Sequence, residues 1–476
     1  MSFDFKRVVV SEVCELIVDC VNKTAPKVDY ATPYKMIRTP NIRNGVINLD
    51  GCNFVTEDTY RKWTRRAIVR RDDVLLTREA PMGEVGIVDF EDEVFLGQRI
   101  MQYRADQNKV CPKFLFYSFL SSDLRNQFYQ HEGSGSVVSH IRVPDCLKFE
   151  INLPPLETQK RITSVLWSLD QKIKNNSAIN QTIEQMAQAL FKSWFADFDP
   201  VKAKIAVLEA GGSQEEATLA AMTAISGKNA DSLVFFEQEQ PEKFAELKAT
   251  AELFPSAMQE SELGAIPEGW LSGSIRDVTE KVFSGGTPTT TKSEYWNGDF
   301  HWFSSGETRN SIITSTEKTI TQLGVEKSAT KKSMFGDVLI ASAGQGHTRG
   351  QTALNMINTY INQSVIAVRP KSSIFISWLY LNLRSRYEEM RAISDSHSSR
   401  GSLTTKLVAG MPIVIPDENI LQKFESSIFP FFKSINCSQS ETDSLTKLRD
   451  TLLPKLLSGE ITLPEAERAV SEAENV

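Results

Sequence analysis

"INLPPLETQKRI" (residues 151–162) is echoed 262 positions later by "IVIPDENILQKF" (residues 413–424). Each is a Pro-bounded apolar strand end that runs into a Gln and the start of a long helical pattern. So unusual a phrase written twice points to an internal repeat. Working outward, "DDVLLTREA" (72–80) pairs with "GDVLIASAG" (336–344), and "PKFLFYSFLSSDLRNQF" (112–128) with "IFISWLYLNLRSRYEEM" (374–390). A Gly/Ser-rich loop follows each, "GSGSVVSH" (133–140) and "SSRGSLTT" (398–405), and all the offsets lie between 262 and 265 residues.

After each phrase the apolar residues step by four and three, the seam of a coiled coil. The first seam reads Ile162, Leu166, Leu169, Ile173, Asn176, Asn180, Ile183, Ala187, Leu190, Trp194; the second reads Phe424, Ile428, Phe431, Ile435, Ser438, Thr442, Leu445, Arg449, Leu452, Leu456. Both turn polar at the same two middle positions, Asn176 and Asn180 against Ser438 and Thr442, where polar groups sacrifice stability and can fix register. These four are expected to meet near the middle of an antiparallel pair; ordinary bundle helices with tolerant polar sites are the alternative. Pro454 should kink or stop the second helix, with Gly459 as a C-terminal stop.

The fold class that follows is α+β: two similar mixed α/β domains separated by a pair of long antiparallel coiled-coil helices, in a pseudo-twofold repeat. The expected boundaries are 1–153 for the first domain, 154–199 for the first helix, 200–269 for an acidic linker or insertion, 270–416 for the second domain, 417–460 for the second helix and 461–476 for a C-terminal tail. A helix of roughly 40 residues is about 60 Å long, which would place the two domains at opposite ends of a rod.

Composition bounds the function. With 41% hydrophobic and 24% charged residues the chain has ordinary globular proportions. No run approaches the ~18 apolar residues of a membrane helix and the N-terminus lacks a signal-type core, so no membrane partner and a cytoplasmic location are expected. The six cysteines form no CxxC pair and no metal-ligand spacing with the five histidines. The net charge of −7 seems to disfavour a nucleic-acid partner, yet residues 200–269 carry 5 basic and 12 acidic groups and account for all of it. The acidity belongs to the connector, not to the domains.

Several stretches resemble one family, the specificity subunits of type I restriction-modification systems: "LTREAPMGEVG" (76–86), "LPPLETQKRI" (153–162), "LFKSWFADFDP" (190–200), "GAIPEGW" (264–270), "FSGGTPTTTKSEYWNGDFHWFSSGE" (283–307) and "LLPKLLSGEI" (452–461). They follow the family's order over nearly the whole chain. The resemblance implies two target-recognition domains, each reading one half of a split double-stranded DNA target, with the helices setting the spacer. It implies no catalytic site in this chain and no cofactor of its own. S-adenosylmethionine, ATP and Mg are then expected in the partners: two modification (methyltransferase) subunits, and restriction (translocase/endonuclease) subunits. The second phrase, "VIPDENILQ", departs from the family form that "NLPPLETQ" keeps, which puts identical docking of the two helices in doubt.

The residues agree that catalysis lies elsewhere. Pro154-Pro155 sits between leucines, so it lacks the polar residue and aromatic ring with which an adenine methyltransferase holds a flipped base. Neither "SAGQGHTRG" (342–350) nor "SGGTPTT" (284–290) contains the Gly-Lys-Ser/Thr of a phosphate loop, and no nuclease or metal cluster stands out. A self-sufficient methyltransferase or nuclease is therefore disfavoured, while an adaptor whose domains bind protein remains open. For DNA phosphates the candidates are Arg61, Lys62, Arg65, Arg66, Arg70 and Arg71, interleaved with Tyr60 and Trp63; a solvated helix face is the alternative. For base readout they are Arg78, Ser134, Ser136, Ser139 and His140 in the first domain. In the second they are Thr287, Tyr295, Trp302, Ser305, Arg309, Gln345, His347, Arg349 and Arg400. Phe191, Trp194 and Phe195 exceed what a two-helix seam can bury and are candidates for a subunit interface; closing the rod end or contacting the second domain is the alternative.

Overall fold

The computed structural model describes residues 5–130, 140–344, 347–397 and 402–474. Two compact units result, one built from residues 1–175 and 442–476, the other from residues 176–441. The division falls within both long helices, Leu156–Phe191 and Glu418–Ser458, so each unit is a globular domain packed on a segment of each helix.

In the first unit the central sheet is antiparallel, in the order Cys14–Asp19, Ile100–Ala105, Val74–Arg78, Met82–Ile87. Because side chains alternate across a strand, Val74 and Leu76 enter the core beneath the helix Pro112–Leu120. Leu75 enters a second cluster with Ile37, Ile42 and Ile47. The short strand Lys6–Val9 pairs with Glu150–Leu153, which delivers the chain into the first long helix. There Ile162, Leu166 and Leu169 share the core with Leu445, Leu452 and Leu456 of the second helix.

The second unit repeats the plan. Its main sheet runs Thr279–Ser284, Val365–Pro370, Val338–Ala341, Thr352–Asn355, with Ile312–Ile313 added in parallel at the edge. Val338 and Ile340 face the helical core while Leu339 faces the other way. The strand Leu271–Ser274 pairs with Pro412–Ile415, the entry to the second long helix. Within this unit Asn176 meets Glu441 and Phe191 meets Phe424, so the helices run antiparallel.

The repeat extends to a buried ion pair. Asp73 receives Arg104 through Nε and Nη2, both at 2.8 Å, and Asp337 receives Arg369 through the same atoms, both at 2.9 Å. A backbone N–H three residues earlier completes each carboxylate, from Arg70 (2.7 Å) and from Met334 (2.8 Å). A carboxylate so placed seals the turn before the central strand and neutralises an arginine on its neighbour.

Three expectations need correction. Pro454 does not end the second helix, which continues to Ser458, and Pro430 also lies inside it; Gly459 (φ +76°) makes the stop. The expected C-terminal tail is folded as far as Glu474, where the helix Leu463–Glu474 buries Leu463 and Ala466 in the first unit's core. Of the two forms expected for 200–269, linker or insertion, the structure has the insertion. It folds into the helices Asp199–Glu209, Gln214–Ser226, Ala230–Glu239 and Pro241–Leu253 and a hairpin, Met258–Ser261 with Gly264–Pro267. Buried Lys204 pins it by donating to the Phe254 carbonyl (2.6 Å), and burial lowers the pKa of that ammonium.

The third correction concerns the two glutamines of the opening phrase, which are not equivalent. Gln159 is 1% exposed, accepts from Cys111 N (2.8 Å) and donates to the Pro154 carbonyl (2.8 Å). The position 262 residues on is buried Leu421, while Gln422 faces solvent. In the second unit Glu425, one turn further, accepts from Ser377 N (2.8 Å) and thereby holds the N-terminus of the helix Ile376–Ser385.

Candidate DNA-recognition surfaces

The basic run of the first unit is not one helical face. A helix capped by the Thr56 hydroxyl covers Glu57–Trp63, and residues 64–73 continue without regular structure. Its aromatic residues turn inward: Tyr60 donates to Glu93 Oε2 (2.7 Å) and stacks on Tyr34, and Trp63 Nε1 donates to the Lys23 carbonyl (3.2 Å). Three of the six cations are already paired, Arg61 with Glu57, Arg66 with Asp19 and Arg71 with Glu91. Lys62, Arg65 and Arg70 are exposed and form no ion pair among the described residues. The structure therefore narrows the phosphate-binding candidates to those three.

Arg78 ends the central strand and is committed to structure: its Nη1 donates to the Ile141 carbonyl (3.1 Å), and its own carbonyl accepts from Ile141 N (3.0 Å). His140, beside it, is half-buried. Ser134, Ser136 and Ser139 lie outside the described residues, as do Gln345 and Arg400 of the second domain.

In the second domain the readout candidates separate into two groups. Trp302 is 5% exposed, donates to the Gly286 carbonyl (3.4 Å) and packs edge-on against Trp296; Tyr295 is 6% exposed. Both belong to the domain's interior, because their large apolar faces gain more from burial than from solvent. Thr287 bonds Gln363, and the Ser305 carbonyl caps the Thr308 hydroxyl (2.7 Å), so these two shape loops. Arg349 is paired with Asp395, its side chain 11% exposed. Arg309 and His347, by contrast, line one open cleft of about 370 Å³ together with Thr308, Gln351, Arg384 and Tyr387. Arg309 is oriented by Glu317, and Tyr387 donates to the His347 carbonyl (2.9 Å). Guanidinium, imidazole, amide, hydroxyl and phenol converge there, the mixture of donors and acceptors that base edges require.

Sequence reasoning missed Arg384, Tyr387 and Gln351. Arg384 lies inside a repeated phrase, where the first copy has Ser122 at the phrase's offset of 262. A charge present in one copy alone was the available signal.

The aromatic triplet is a further correction. Phe191 is 4% exposed, Trp194 4% and Phe195 8%, and all three pack on Phe424; Trp194 also meets Phe254, and Phe195 meets Trp270 and Trp378. A turn of π-helix at Lys192–Ala196 widens the helix end, so residues that a regular helix would place beside the seam point into the core. The triplet joins helix, connector and second domain, and offers no surface to another subunit. Of the register residues, Asn176 donates to Glu441 Oε2 (2.8 Å), a partner the seam pattern had not indicated. Asn180 and Ser438 are half-buried and Asn180 Oδ1 accepts no hydrogen bond, while Thr442 lies half-buried in the first unit.

Among the described residues no group of three or more His, Cys, Asp or Glu is arranged to hold a metal ion, and no helix is long and apolar enough to cross a membrane. Two copies of one scaffold, with one basic patch and one polar cleft, define a duplicated recognition protein. The chain belongs to the type I restriction-modification DNA specificity family, whose domain model matches residues 4–185 and 267–447. The HindI specificity subunit of Haemophilus influenzae is 31% identical over 404 residues, which cover 83% of this chain and 87% of that one. The MjaIX specificity subunit of Methanocaldococcus jannaschii is 23% identical over 86% of this chain and 82% of its own length. A crystal structure of an S subunit from M. genitalium shares the fold, with a TM-score of 0.52 at 14% identity over 96% of both chains. The protein is thus a DNA specificity subunit with two recognition domains, and catalysis lies with other subunits of the type I complex.

Proposed function

We propose that the two recognition domains read different halves of an asymmetric, bipartite DNA target, that the long helices set the spacing between the halves, and that this chain docks two modification subunits and the restriction subunits. S-adenosylmethionine, ATP and Mg then belong to those partners, and the complex works on DNA in the cytoplasm. One observation carries the reading: a common scaffold, marked by the Asp73–Arg104 and Asp337–Arg369 pairs, bears different chemistry at equivalent positions of its two copies, Ser122 against Arg384. Unequal domains imply unequal half-sites, unlike the palindrome of a symmetric dimer.

Lys62, Arg65 and Arg70 supply sequence-independent phosphate contacts in this scheme, and the cleft around Arg309 and His347 supplies readout. Methylome sequencing of cells that carry this chain and its modification subunit, against cells lacking only this chain, tests it. Loss of adenine methylation at one split, asymmetric motif is the expected result, and unchanged methylation refutes it. Deleting one heptad from each helix, residues 174–180 and 436–442, should alter the spacer and leave both half-sites intact.

A further inference from the structure

Arg384 stands half-buried on the wall of the second domain's cleft, at the end of the helix Ile376–Ser385. Its Nη2 donates to Glu184 Oε2 (3.0 Å) and its Nη1 to the Tyr380 hydroxyl (2.9 Å). Tyr380 in turn donates to the Ser311 carbonyl (3.1 Å), and Glu184 also accepts from the Ser311 hydroxyl. Glu184 belongs to the first long helix and its side chain is 16% exposed. The guanidinium is therefore held from behind by the helix, by the phenol of its own helix and, through both, by the loop at Ser311. Two of its five N–H donors are used, which leaves three for a ligand in the cleft.

This arrangement belongs to the second unit alone. The counterpart of Arg384 is Ser122, the first residue of the helix Ser122–Tyr129, and the counterpart of Glu184 is Thr446. At these positions arginine and carboxylate occur together in one copy only; the first unit ties its domain helix to the long helices through Tyr117 and Asp170, and the arginine that meets Asp170 there is Arg449 of the second long helix, not a residue of the recognition domain. A residue needed by the common scaffold would be present in both, as Asp73 and Asp337 are; one serving a particular DNA half-site need not be. The charge balance adds a second distinction. Exposed cations without a carboxylate suit phosphates, whereas Arg384 is already neutralised by Glu184, so what it offers is a fixed fork of donors rather than a free charge.

We propose that Arg384 reads a base edge in the half-site of the second recognition domain, and that Glu184, on the spacer helix, is its positioning residue. This rests on the bipartite reading above and deepens it: half-site specificity is not contained within the globular domain but includes a carboxylate of the helix. A guanidinium fork matches the O6 and N7 acceptors of guanine in the major groove, which identifies the base class. A second domain transplanted onto a helix without that carboxylate would then read its half-site less strictly.

The test uses the intact complex with its modification subunits, read by methylome motif and by duplex-library binding at several salt concentrations. Arg384→Ala should lower discrimination at a single position of one half-site by about 10- to 100-fold, the range of one bidentate contact. The other half-site and the salt slope should not change. Arg384→Lys, which keeps the charge and the apolar stem but not the fork, should relax the same position and covers the case in which the alanine variant does not fold. Glu184→Gln should relax that position to a smaller degree.

An unchanged motif in folded Arg384→Lys would overturn the proposal. So would a uniform loss of affinity with a salt slope reduced by about one, the mark of a phosphate contact. A Glu184→Gln protein that loses thermal stability without changing base preference would reduce that residue to a structural role and overturn its part. A wild-type complex that marks no split motif would instead refute the bipartite reading itself.

Discussion

Replacing Arg104 by Met should be among the most destabilising single changes in the first unit. Asp73 is fully buried and accepts four hydrogen bonds, two from Arg104, one from Gln102 Nε2 (2.7 Å) and one from Arg70 N (2.7 Å). The methionine keeps most of the apolar stem yet leaves a carboxylate with two neutral donors and no countercharge. Breaking a buried pair in this way costs about 3–5 kcal/mol, because the remaining charge is uncompensated. Asp73→Asn should cost less, about 1–3 kcal/mol: Arg104 is 17% exposed and can recover water, and the amide still accepts from Arg70 N. Segment-resolved hydrogen exchange is the assay, since two compact units make one global unfolding free energy ill-defined. Peptides spanning Val74–Arg78 and Ile100–Ala105 should lose protection by about 10²- to 10³-fold in Arg104→Met. A loss below tenfold, or an asparagine variant worse than the methionine one, would refute the reasoning.

Glu425 gives a pH prediction. Burial, the larger effect, raises its carboxyl from 4.5 to about 7 against the opposing hydrogen bond from Ser377 N. A raised carboxyl contributes stability that is full below pH 4.5 and is lost as pH rises through 7. Glu425→Gln retains an acceptor for Ser377 N, so it should match the wild type near pH 4.5 and exceed it by up to about 3 kcal/mol at pH 8; equal exchange protection of the helix Ile376–Ser385 in the two proteins across that range would contradict this. Phe195→Ala should destabilise the second unit by about 3–5 kcal/mol through the cavity it leaves, read as lost exchange protection around Trp270 and Trp378. A well-folded variant that merely fails to bind a modification subunit would restore the interface reading. Replacing Lys62, Arg65 and Arg70 with Ala should weaken duplex binding about equally for all sequences and flatten the salt dependence by roughly one unit for each phosphate no longer neutralised. An unchanged slope would show that these cations face solvent only.

Much of the architecture was legible because the chain states it twice. The seam residues Ile162, Leu166 and Leu169 and the counterparts of the first two, Phe424 and Ile428, are buried as their spacing requires, since a helix can shield apolar groups only at intervals of three and four; Phe431, the counterpart of Leu169, is half-buried while its neighbour Phe432 is fully buried. The strand at Val74–Leu76 and its copy at Val338–Ile340 were equally plain, and their flanking aspartates proved to be the matching ends of two buried ion pairs. What the sequence could not decide was direction. Phe191 and Phe195 looked outward until the folded connector and second domain enclosed them; for Phe195 the π turn adds its part, because a change in helical register rotates every later side chain. Tyr295 and Trp302 stood among the base-readout candidates until neighbouring strands buried them.

The site divides in the same way. Arg309 and His347 carried a chemical signal in their residue types, but only folding brings them to one cleft with Arg384, and only the approach of the first long helix sets Glu184 behind that arginine, 200 residues away in sequence. Repeat, periodicity and composition are local or self-comparing properties, and the sequence by itself determined the duplicated plan, the helices and the class of protein. Which side chains face DNA depends on packing between residues far apart in the chain, whose burial and charge balance exist only once the sheets and helices have come together; that was decided by the tertiary structure alone.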